Sequence, residues 1–311
     1  MKQLMKGNDA AVRGAILGGA THFFGYPITP ASEIAHAAAE FFPRAHGVFL
    51  QAESEVNAVN MIYGAAAAGA RVMSASSGPG VSLMSEGISY IAACELPCVI
   101  VDVQRSGPGL GNIWPEQSDY DTVVTGGAHG NYKNVVLAPN SVQEMCDLTY
   151  HAFDIADRYR NPVFILTDAH IGQMMEPVTV PVEVRRGERK DWALYGDAES
   201  RKNVITSIFM RTDQLLEVNQ RLAAKYERLQ QERVDYEEND SADAEILFVA
   251  YGICSRICPT AVRQLRRGGL KAGMLRPKTL FPFPVEPLKR LADEVKKVVV
   301  VELSNGQMVR D

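Results

Sequence analysis

The chain has 311 residues, a formal net charge of −5, 46% hydrophobic residues and 22% charged residues. This length allows two domains with separate cores, and the composition is ordinary for a globular protein. No apolar run reaches the roughly 18 residues that a membrane-spanning helix needs, and the first residues lack the apolar core of a secretory signal. We therefore expect a cytoplasmic protein with no membrane partner.

The five cysteines are an odd number, which argues against a fully paired disulfide framework. Cys94 and Cys98, and likewise Cys254 and Cys258, are separated by three residues instead of the two that are usual in metal motifs. We expect small buried side chains and no metal site or iron–sulfur cluster in this chain. Basic residues are not interleaved with aromatic ones, so nucleic acid is not an expected partner.

Residues 1–180 alternate short apolar runs with helical segments, which predicts an α/β domain with a parallel sheet. The run 98–103 is apolar throughout except for Asp102, as in a strand buried on both faces. The predicted strands are 22–25, 48–51, 72–75, 98–103, 135–137 and 163–166, and the predicted helices are 7–19, 32–42, 54–68, 83–93 and 141–159.

Residues 181–242 lose this alternation and become rich in charge, so we expect a linker between domains. Apolar residues at helical spacing between Leu215 and Leu229 predict an amphipathic helix that ends in an acidic stretch at 237–240. A second, smaller α/β domain is predicted over 243–311. The chain ends soon after the predicted strand 298–302, and we expect this domain to continue beyond residue 311.

The segment Tyr26-Pro27-Ile28-Thr29-Pro30 follows the first of these strands. Two prolines in five residues fix two φ angles and remove two backbone donors, so the segment cannot lie inside a helix or a central strand. A stiff turn is predicted, with the Tyr26 and Thr29 side chains held in set directions.

Three more polar segments follow predicted strands, at the end of a parallel sheet where open α/β folds bind ligands. Each segment alone is a weak signal, because turns rich in glycine and proline commonly follow strands. These segments are 51–57 (Gln-Ala-Glu-Ser-Glu-Val-Asn), 76–82 (Ser-Ser-Gly-Pro-Gly-Val-Ser) and 104–111 (Gln-Arg-Ser-Gly-Pro-Gly-Leu-Gly).

Taken together and in this order, the four segments closely resemble the α subunit of 2-oxoacid:ferredoxin oxidoreductases over about residues 5–180. The segments 49–55 and 171–177 are most similar to the branched-chain (2-oxoisovalerate) group. The resemblance implies a thiamine-diphosphate enzyme that oxidatively decarboxylates a 2-oxoacid to acyl-CoA. It also implies a pyrimidine-binding domain over 1–180, followed at 243–311 by a domain similar to the C-terminal domain of transketolase.

Glu55 is the residue to which the resemblance assigns catalysis. In thiamine enzymes a buried glutamate binds N1′ of the aminopyrimidine and so assists removal of the thiazolium C2 proton, and this role needs a carboxylate in a low-dielectric pocket. Ser54-Glu55 resembles the family's Ser-Glu pair. Glu53 is the rival candidate, and a surface glutamate near the positive end of a helix is the structural alternative for Glu55.

For the substrate carboxylate the resemblance implies Arg105, whose guanidinium forms bidentate pairs, together with a hydrogen bond from Thr29. The alternative for Arg105 is a structural ion pair with Asp102, Glu116 or Asp119, and for Thr29 it is a helix N-cap. Tyr26 is expected to line the substrate site and Pro27 to contact the cofactor.

Cofactor contact is also expected at Ser77, Gly78 and Pro79, where the backbone would approach the pyrimidine ring. The Gly-Asp-Gly motif with which thiamine enzymes hold the diphosphate and its magnesium does not occur in the sequence. The resemblance therefore implies a β subunit that carries the Mg²⁺ and diphosphate half of the site. It also implies γ and ferredoxin-like δ subunits with iron–sulfur clusters, ferredoxin or another electron acceptor, and coenzyme A.

Three alternatives stay open at this point. In the first alternative, the substrate is 2-oxoglutarate or an aryl-glyoxylate instead of a branched-chain 2-oxoacid. In the second, the complex is a non-redox thiamine decarboxylase. The non-enzymatic alternative is an α/β scaffold that binds a partner through a helix within 199–238.

Overall fold

The computed structural model describes residues 2–311, which contain a seven-stranded, a four-stranded and a two-stranded sheet. The first part of the chain forms the two-stranded sheet and most of the seven-stranded sheet. The elements of this part, in chain order, are β1 (Lys2–Lys6), α1 (Gly7–Leu17), β2 (His22–Gly25), α2 (Ser32–Arg44), β3 (Val48–Gln51), α3 (Glu55–Ala67), β4 (Val72–Ser76), α4 (Gly78–Ala93), β5 (Cys98–Gln104), α5 (Tyr120–Val124), β6 (Val135–Leu137), α6 (Val142–Tyr159), β7 (Pro162–Asp168), α7 (Ala169–Gln173) and β8 (Met175–Thr179).

The seven-stranded sheet has the order β12-β6-β7-β5-β4-β2-β3, and all its pairs are parallel except β12 with β6. Every residue of β5 and β7 is buried, as expected for central strands covered by helices on both faces. This confirms the predicted α/β class and the parallel sheet.

Helices α1 and α6 pack closely because of Gly14. A Cβ at this position would lie 2.2 Å from the Cys146 carbonyl oxygen, so the glycine lets the two backbones approach each other. The small residues of α1 therefore serve helix packing.

The second part of the chain contains a long helix and a four-stranded sheet of order β13-β10-β11-β9. Strand β10 is parallel to β11 and β13, and β9 is antiparallel to β11. The elements, in chain order, are α8 (Thr212–Glu232), β9 (Tyr236–Asn239), β10 (Ile246–Ala250), α9 (Gly252–Arg267), β11 (Ala272–Pro277), β12 (Thr279–Phe281), α10 (Val285–Glu294) and β13 (Lys297–Val301), with 3₁₀ turns at Ser200–Lys202 and Met308–Arg310.

The amphipathic helix predicted in the linker is confirmed as α8. Its buried apolar residues are Val218, Leu222, Tyr226 and Leu229, whereas Leu215 is exposed. The apolar face of α8 is therefore covered by the chain itself. The prediction that this helix ends in the acidic stretch was wrong, because residues 236–239 form strand β9 instead.

Three further strands were not predicted. Strands β1 and β8 pair with each other, and β12, which lies between Pro277 and Pro282, adds to the edge of the first sheet beside β6. The second part of the chain thus contributes a strand to the first sheet. The division of the chain at residues 180 and 242 stays a prediction.

Four charged residues lie where the two parts meet, and we call them the junction cluster: Glu144, Glu237, Arg276 and Lys278. Arg276 is 1% exposed, and its Nη1 donates to Glu144 Oε1 and Glu237 Oε2, both at 3.0 Å. Its Nη2 donates to Glu144 Oε2 and to the Ala138 carbonyl oxygen. These contacts fasten β11 to α6.

The five cysteines are free and buried. No helix within residues 2–311 has the length and apolar character to cross a membrane.

Candidate active site

Strands β5, β4, β2 and β3 are adjacent in the sheet and parallel, so their carboxyl ends share one edge. The four polar segments identified in the sequence follow these strands. The sheet therefore brings together the segments starting at Tyr26, Gln51, Ser76 and Gln104, in agreement with the expected arrangement.

Glu55 is the first residue of α3, and its side chain is buried, with 5% exposure. Ser54 caps this helix, since its Oγ accepts a hydrogen bond from the Asn57 backbone N–H at 3.2 Å. Among residues 2–311 the Glu55 carboxylate has no hydrogen-bond or ion-pair partner. Glu53, in contrast, is exposed and accepts a hydrogen bond from Asn57 Nδ2 at 3.0 Å. At the start of this helix, Glu55 is therefore buried, whereas Glu53 is exposed.

Gly80 brings the start of α4 against the Glu55 carboxylate. A Cβ at Gly80 would lie 2.4 Å from Glu55 Oε1 and 2.1 Å from Ser76 Oγ. The hydroxyls of Ser76 and Ser77 are buried and have no hydrogen-bond partner within the described chain. Two unpaired polar groups, Glu55 Oε1 and Ser76 Oγ, therefore meet at Gly80, and the unpaired Ser77 hydroxyl is close in sequence, which is the arrangement expected where a polar ligand binds.

Helix α4 begins at Gly78, five residues before the predicted start at Leu83, with Pro79 in its first turn. Gly-Pro-Gly favours a turn, but proline also suits the first turn of a helix, where no N–H partner is required. Ser77 is therefore the N-cap of α4, and its side chain makes no capping bond. Gly78 packs against Asp119, whose Oδ1 would lie 2.6 Å from an added Cβ.

Arg105 and Thr29 are in direct contact. Arg105 Nη1 donates to the Thr29 carbonyl oxygen and Nη2 to the Leu110 carbonyl oxygen, each at 2.8 Å, while Nε has no acceptor. Within residues 2–311 Arg105 makes no ion pair within 4.0 Å, so the expected alternative partners do not hold it. The guanidinium is fixed by backbone oxygens and keeps free N–H groups.

The proline turn presents its hydroxyl groups at the surface. Thr29 is exposed, and the N-cap position of α2 is Ala31, so Thr29 does not cap this helix. Tyr26 is 38% exposed, and Pro27 next to it is half-buried. The turn is held from beneath by Asn8, whose Nδ2 donates to the Pro30 carbonyl oxygen at 3.1 Å.

No pattern in the sequence indicates a role for Asn8, and the buried acids Asp102 and Asp119 are expected only as alternative partners for Arg105. Asp102 accepts no hydrogen bond from the described chain, and burial together with Asp119 raises the pKa of Asp102 well above its usual range. Burial and Glu116 raise the pKa of Asp119 to about 6, against the opposing charge of Arg105. An aspartate inside an apolar strand was the one signal for this pair.

A cavity of about 340 Å³ opens beside these groups. Its lining includes Arg105, Glu116 and Asp119, together with Asn305 and Gln307 from the second part of the chain. Within residues 2–311 no three His, Cys, Asp or Glu side chains are grouped so that they could hold a metal ion.

Comparison with known proteins identifies the family. Residues 13–238 match the pyruvate flavodoxin/ferredoxin oxidoreductase, thiamine diphosphate-binding family, and residues 244–311 match pyruvate:ferredoxin oxidoreductase core domain II. The ketoisovalerate oxidoreductase subunit VorB of Methanothermobacter thermautotrophicus is 56% identical over 310 residues, covering 99% of this chain and 88% of the relative. The 2-oxoglutarate synthase subunit KorA of Archaeoglobus fulgidus is 40% identical over 316 residues, covering 99% and 90%.

A solved structure is also similar, the 2-oxoglutarate:ferredoxin oxidoreductase from Magnetococcus marinus with 2-oxoglutarate, coenzyme A and succinyl-CoA bound. Its TM-score is 0.91 at 28% sequence identity, and the match covers 99% of this chain and 59% of that chain. These matches and the geometry of the sheet edge lead to one assignment. The chain belongs to the pyruvate flavodoxin/ferredoxin oxidoreductase family, as an α-type subunit of a 2-oxoacid:ferredoxin oxidoreductase.

Proposed function

We propose that this chain supplies the pyrimidine half of a thiamine-diphosphate site in an enzyme that oxidatively decarboxylates a branched-chain 2-oxoacid to its acyl-CoA. The observation that carries the proposal is the Glu55 carboxylate, which is buried without any partner beside Gly80. The 56% identity to a ketoisovalerate oxidoreductase subunit supports the branched-chain substrate.

The residues around Glu55 fit an aminopyrimidine ring. Glu55 would hold a proton shared with N1′, and the unpaired hydroxyls of Ser76 and Ser77 would meet polar groups of the ring. Pro27, Gly78 and Pro79 are proposed to contact the cofactor through main chain and ring surface. When bound, thiamine diphosphate supplies the nucleophilic carbon that attacks the 2-oxo group.

Arg105 is proposed to bind the substrate carboxylate. Both Nη groups are positioned by backbone oxygens, and N–H groups remain for a bidentate pair with a carboxylate. Because the same contacts join Arg105 to the turn of Thr29, the Thr29 hydroxyl would reach the same substrate. Tyr26 is proposed to form the wall of this site.

The remaining parts are proposed to come from partner subunits. A β subunit would hold the diphosphate and its Mg²⁺, since the sequence contains no Gly-Asp-Gly motif. Partner subunits of the γ and ferredoxin-like δ types would carry iron–sulfur clusters and pass electrons to ferredoxin, and coenzyme A would accept the acyl group. A reducing cytoplasm suits the five free cysteines.

Purification of the complete complex tests this function. We expect a brown complex that reduces ferredoxin with 2-oxoisovalerate only when coenzyme A is present. A colourless complex that releases aldehyde would identify a non-redox decarboxylase, and a stable monomer without partners would favour the scaffold. A higher kcat/KM with 2-oxoglutarate than with 2-oxoisovalerate would instead identify 2-oxoglutarate as the substrate, in line with the name of the 40% identical KorA relative.

A further inference from the structure

Residues 203–210 run between the 3₁₀ turn Ser200–Lys202 and helix α8 without forming a helix or strand. Their exposure nevertheless alternates along the whole segment, which is the period of an extended strand. The even-numbered side chains point outward, and three of them are large and apolar: Val204 is 80% exposed, Ile208 73% and Met210 90%.

The odd-numbered residues hold the segment on the protein. Asn203 Nδ2 donates to the carbonyl oxygens of Asp191 at 2.7 Å and Ala193 at 2.9 Å. Ile205 and Phe209 pack against the hydrophobic core. The segment is therefore anchored along one face, and its outward face and its backbone are presented in a fixed direction.

The backbone of this segment has no pairing partner. Residues 204–210 form no backbone–backbone hydrogen bond with any part of the described chain, and the Ile208 N–H reaches only the Thr206 hydroxyl, at 3.0 Å. An anchored strand with free N–H and C=O groups is a template for an additional strand. The exposed Val204, Ile208 and Met210 would then pack against the side chains of that strand.

Charge indicates which kind of strand fits. Residues 200–212 contain three cations, Arg201, Lys202 and Arg211, and no acidic residue. Arg211 pairs with Asp213, whereas Arg201 and Lys202 have no ion-pair partner in residues 2–311. Antiparallel pairing with a second copy would bring Lys202 close to Arg211 of that copy, so like charges disfavour it.

We propose that residues 203–210 are an extended segment whose free backbone groups pair with an extended segment of a partner subunit, with Asp or Glu residues flanking that partner segment. This proposal rests on the proposed function only in taking the partner from the same complex. Helix α8, the docking element considered from the sequence, does not serve this role because its apolar face is buried.

Hydrogen exchange measured by mass spectrometry tests the pairing directly. Amides of 204–210 should exchange fast in the isolated chain and at least 100-fold more slowly in the complete complex, while the exposed linker residues 196–199 stay fast in both. Equally fast exchange of 204–210 in the complex would overturn the proposal. Protection in the isolated chain that rises with its concentration would assign the strand to a second copy and would also overturn it.

Two variants test the partner's chemistry. The double substitution Val204→Glu and Ile208→Glu should weaken assembly with the partner subunits at least tenfold without changing the fold, whereas Val182→Glu, at a linker valine that is 99% exposed, should not. Carbodiimide treatment of the complex should cross-link Lys202 to an acidic residue of another subunit, and Lys202→Gln should remove this product. Normal assembly of the double variant, or a Lys202 cross-link only to a copy of this chain, would contradict the proposal. Both readouts are independent of 2-oxoacid oxidation, so they separate this surface from the proposed activity.

Discussion

Two of the places where this chain buries charged groups differ in their hydrogen bonding. In the junction cluster, both Nη groups of Arg276 are bonded to acceptors, and only Nε lacks one. At the carboxyl edge of the seven-stranded sheet, the carboxylates of Glu55 and Asp102 accept no hydrogen bond from residues 2–311. An unpaired buried polar group costs about 1–3 kcal/mol, and pairing in the junction cluster avoids this cost. We propose that a ligand pairs with the groups at the sheet edge.

The largest effect is expected at Glu55. In the complete complex, Glu55→Gln should lower kcat for 2-oxoacid oxidation roughly 10²- to 10⁴-fold, because an amide cannot share a proton with the pyrimidine ring. Steady-state ferredoxin reduction measures this loss, and hydrogen exchange checks that the complex still assembles. Glu53→Gln is the matched control and should retain activity within a few-fold of wild type; equal losses in the two variants would remove Glu55 from its proposed role.

Substitution of Arg276 should lower the stability of the fold, whereas substitution of Glu55 should lower the activity. Arg276→Leu leaves the half-buried Glu144 without its main partner, so the free energy of unfolding should fall by about 1–3 kcal/mol. Urea unfolding of the isolated chain measures this change. Arg290→Gln breaks the more exposed pair with Glu238 and should change stability by at most about 1 kcal/mol. An Arg276→Leu chain as stable as wild type would show that the junction cluster does not hold the fold.

The stability difference between wild type and Arg276→Leu should depend on pH, because the Glu144 carboxyl is titratable. Burial acts to raise the pKa of Glu144, but the hydrogen bond and charge of Arg276, with Lys278, hold the pKa below its usual value. A carboxyl with a lowered folded-state pKa stabilises the fold above its unfolded-state pKa and loses this contribution as the pH falls through the folded-state pKa. The stability gap between wild type and Arg276→Leu should therefore narrow in acid.

Arg105→Lys should raise KM for the 2-oxoacid about 10- to 150-fold, with little change in thiamine diphosphate affinity. A lysine cannot form the bidentate pair, and loss of a charge-assisted hydrogen bond costs about 1.5–3 kcal/mol. Kinetics with the complete complex measure KM. An unchanged KM together with a destabilised chain would instead make Arg105 a structural residue that only ties its loop to Thr29.

Alanine substitutions at two glycines should give the smallest effects, and they test a single contact of the site. A methyl group at Gly80 would overlap Glu55 Oε1 and Ser76 Oγ, whereas one at Gly64 on α3 meets nothing within 4 Å. Overpacking costs about 1–3 kcal/mol, so Gly80→Ala should lower kcat/KM roughly tenfold or more. Gly64→Ala should keep activity and slightly stabilise the helix. Full activity of Gly80→Ala would mean that this space is not part of the cofactor site.

The segments of the candidate site could be located from sequence because their signals are local. A proline-fixed turn, a Ser cap before Glu55 and an arginine after an apolar strand each follow from a few neighbouring residues. The sheet then placed these segments on one edge, as parallel strands require. The start of α4 was misplaced because Gly78-Pro79-Gly80 suits both a turn and a helix N-terminus.

The parts that were missed depend on contacts distant in sequence. Strand β9 contains two glutamates, which locally favour a polar helix end, yet its pairing with β11 places Glu237 beside Arg276, and Glu238 pairs with Arg290. Strand β12 has three residues between prolines and gains its identity only from β6. The raised pKa of Asp119 likewise depends on burial that no local pattern reports.

Calorimetric titration of the isolated chain with thiamine diphosphate and Mg²⁺ tests the central claim most directly, namely that the unpaired edge is half of a site that a partner completes. A glutamate, two hydroxyls and a ring surface are too few contacts to offset the cost of ordering the ligand. We therefore predict no measurable binding by the isolated chain and tight, magnesium-dependent binding once the β subunit is added. Micromolar, magnesium-dependent binding by the chain alone would contradict the account.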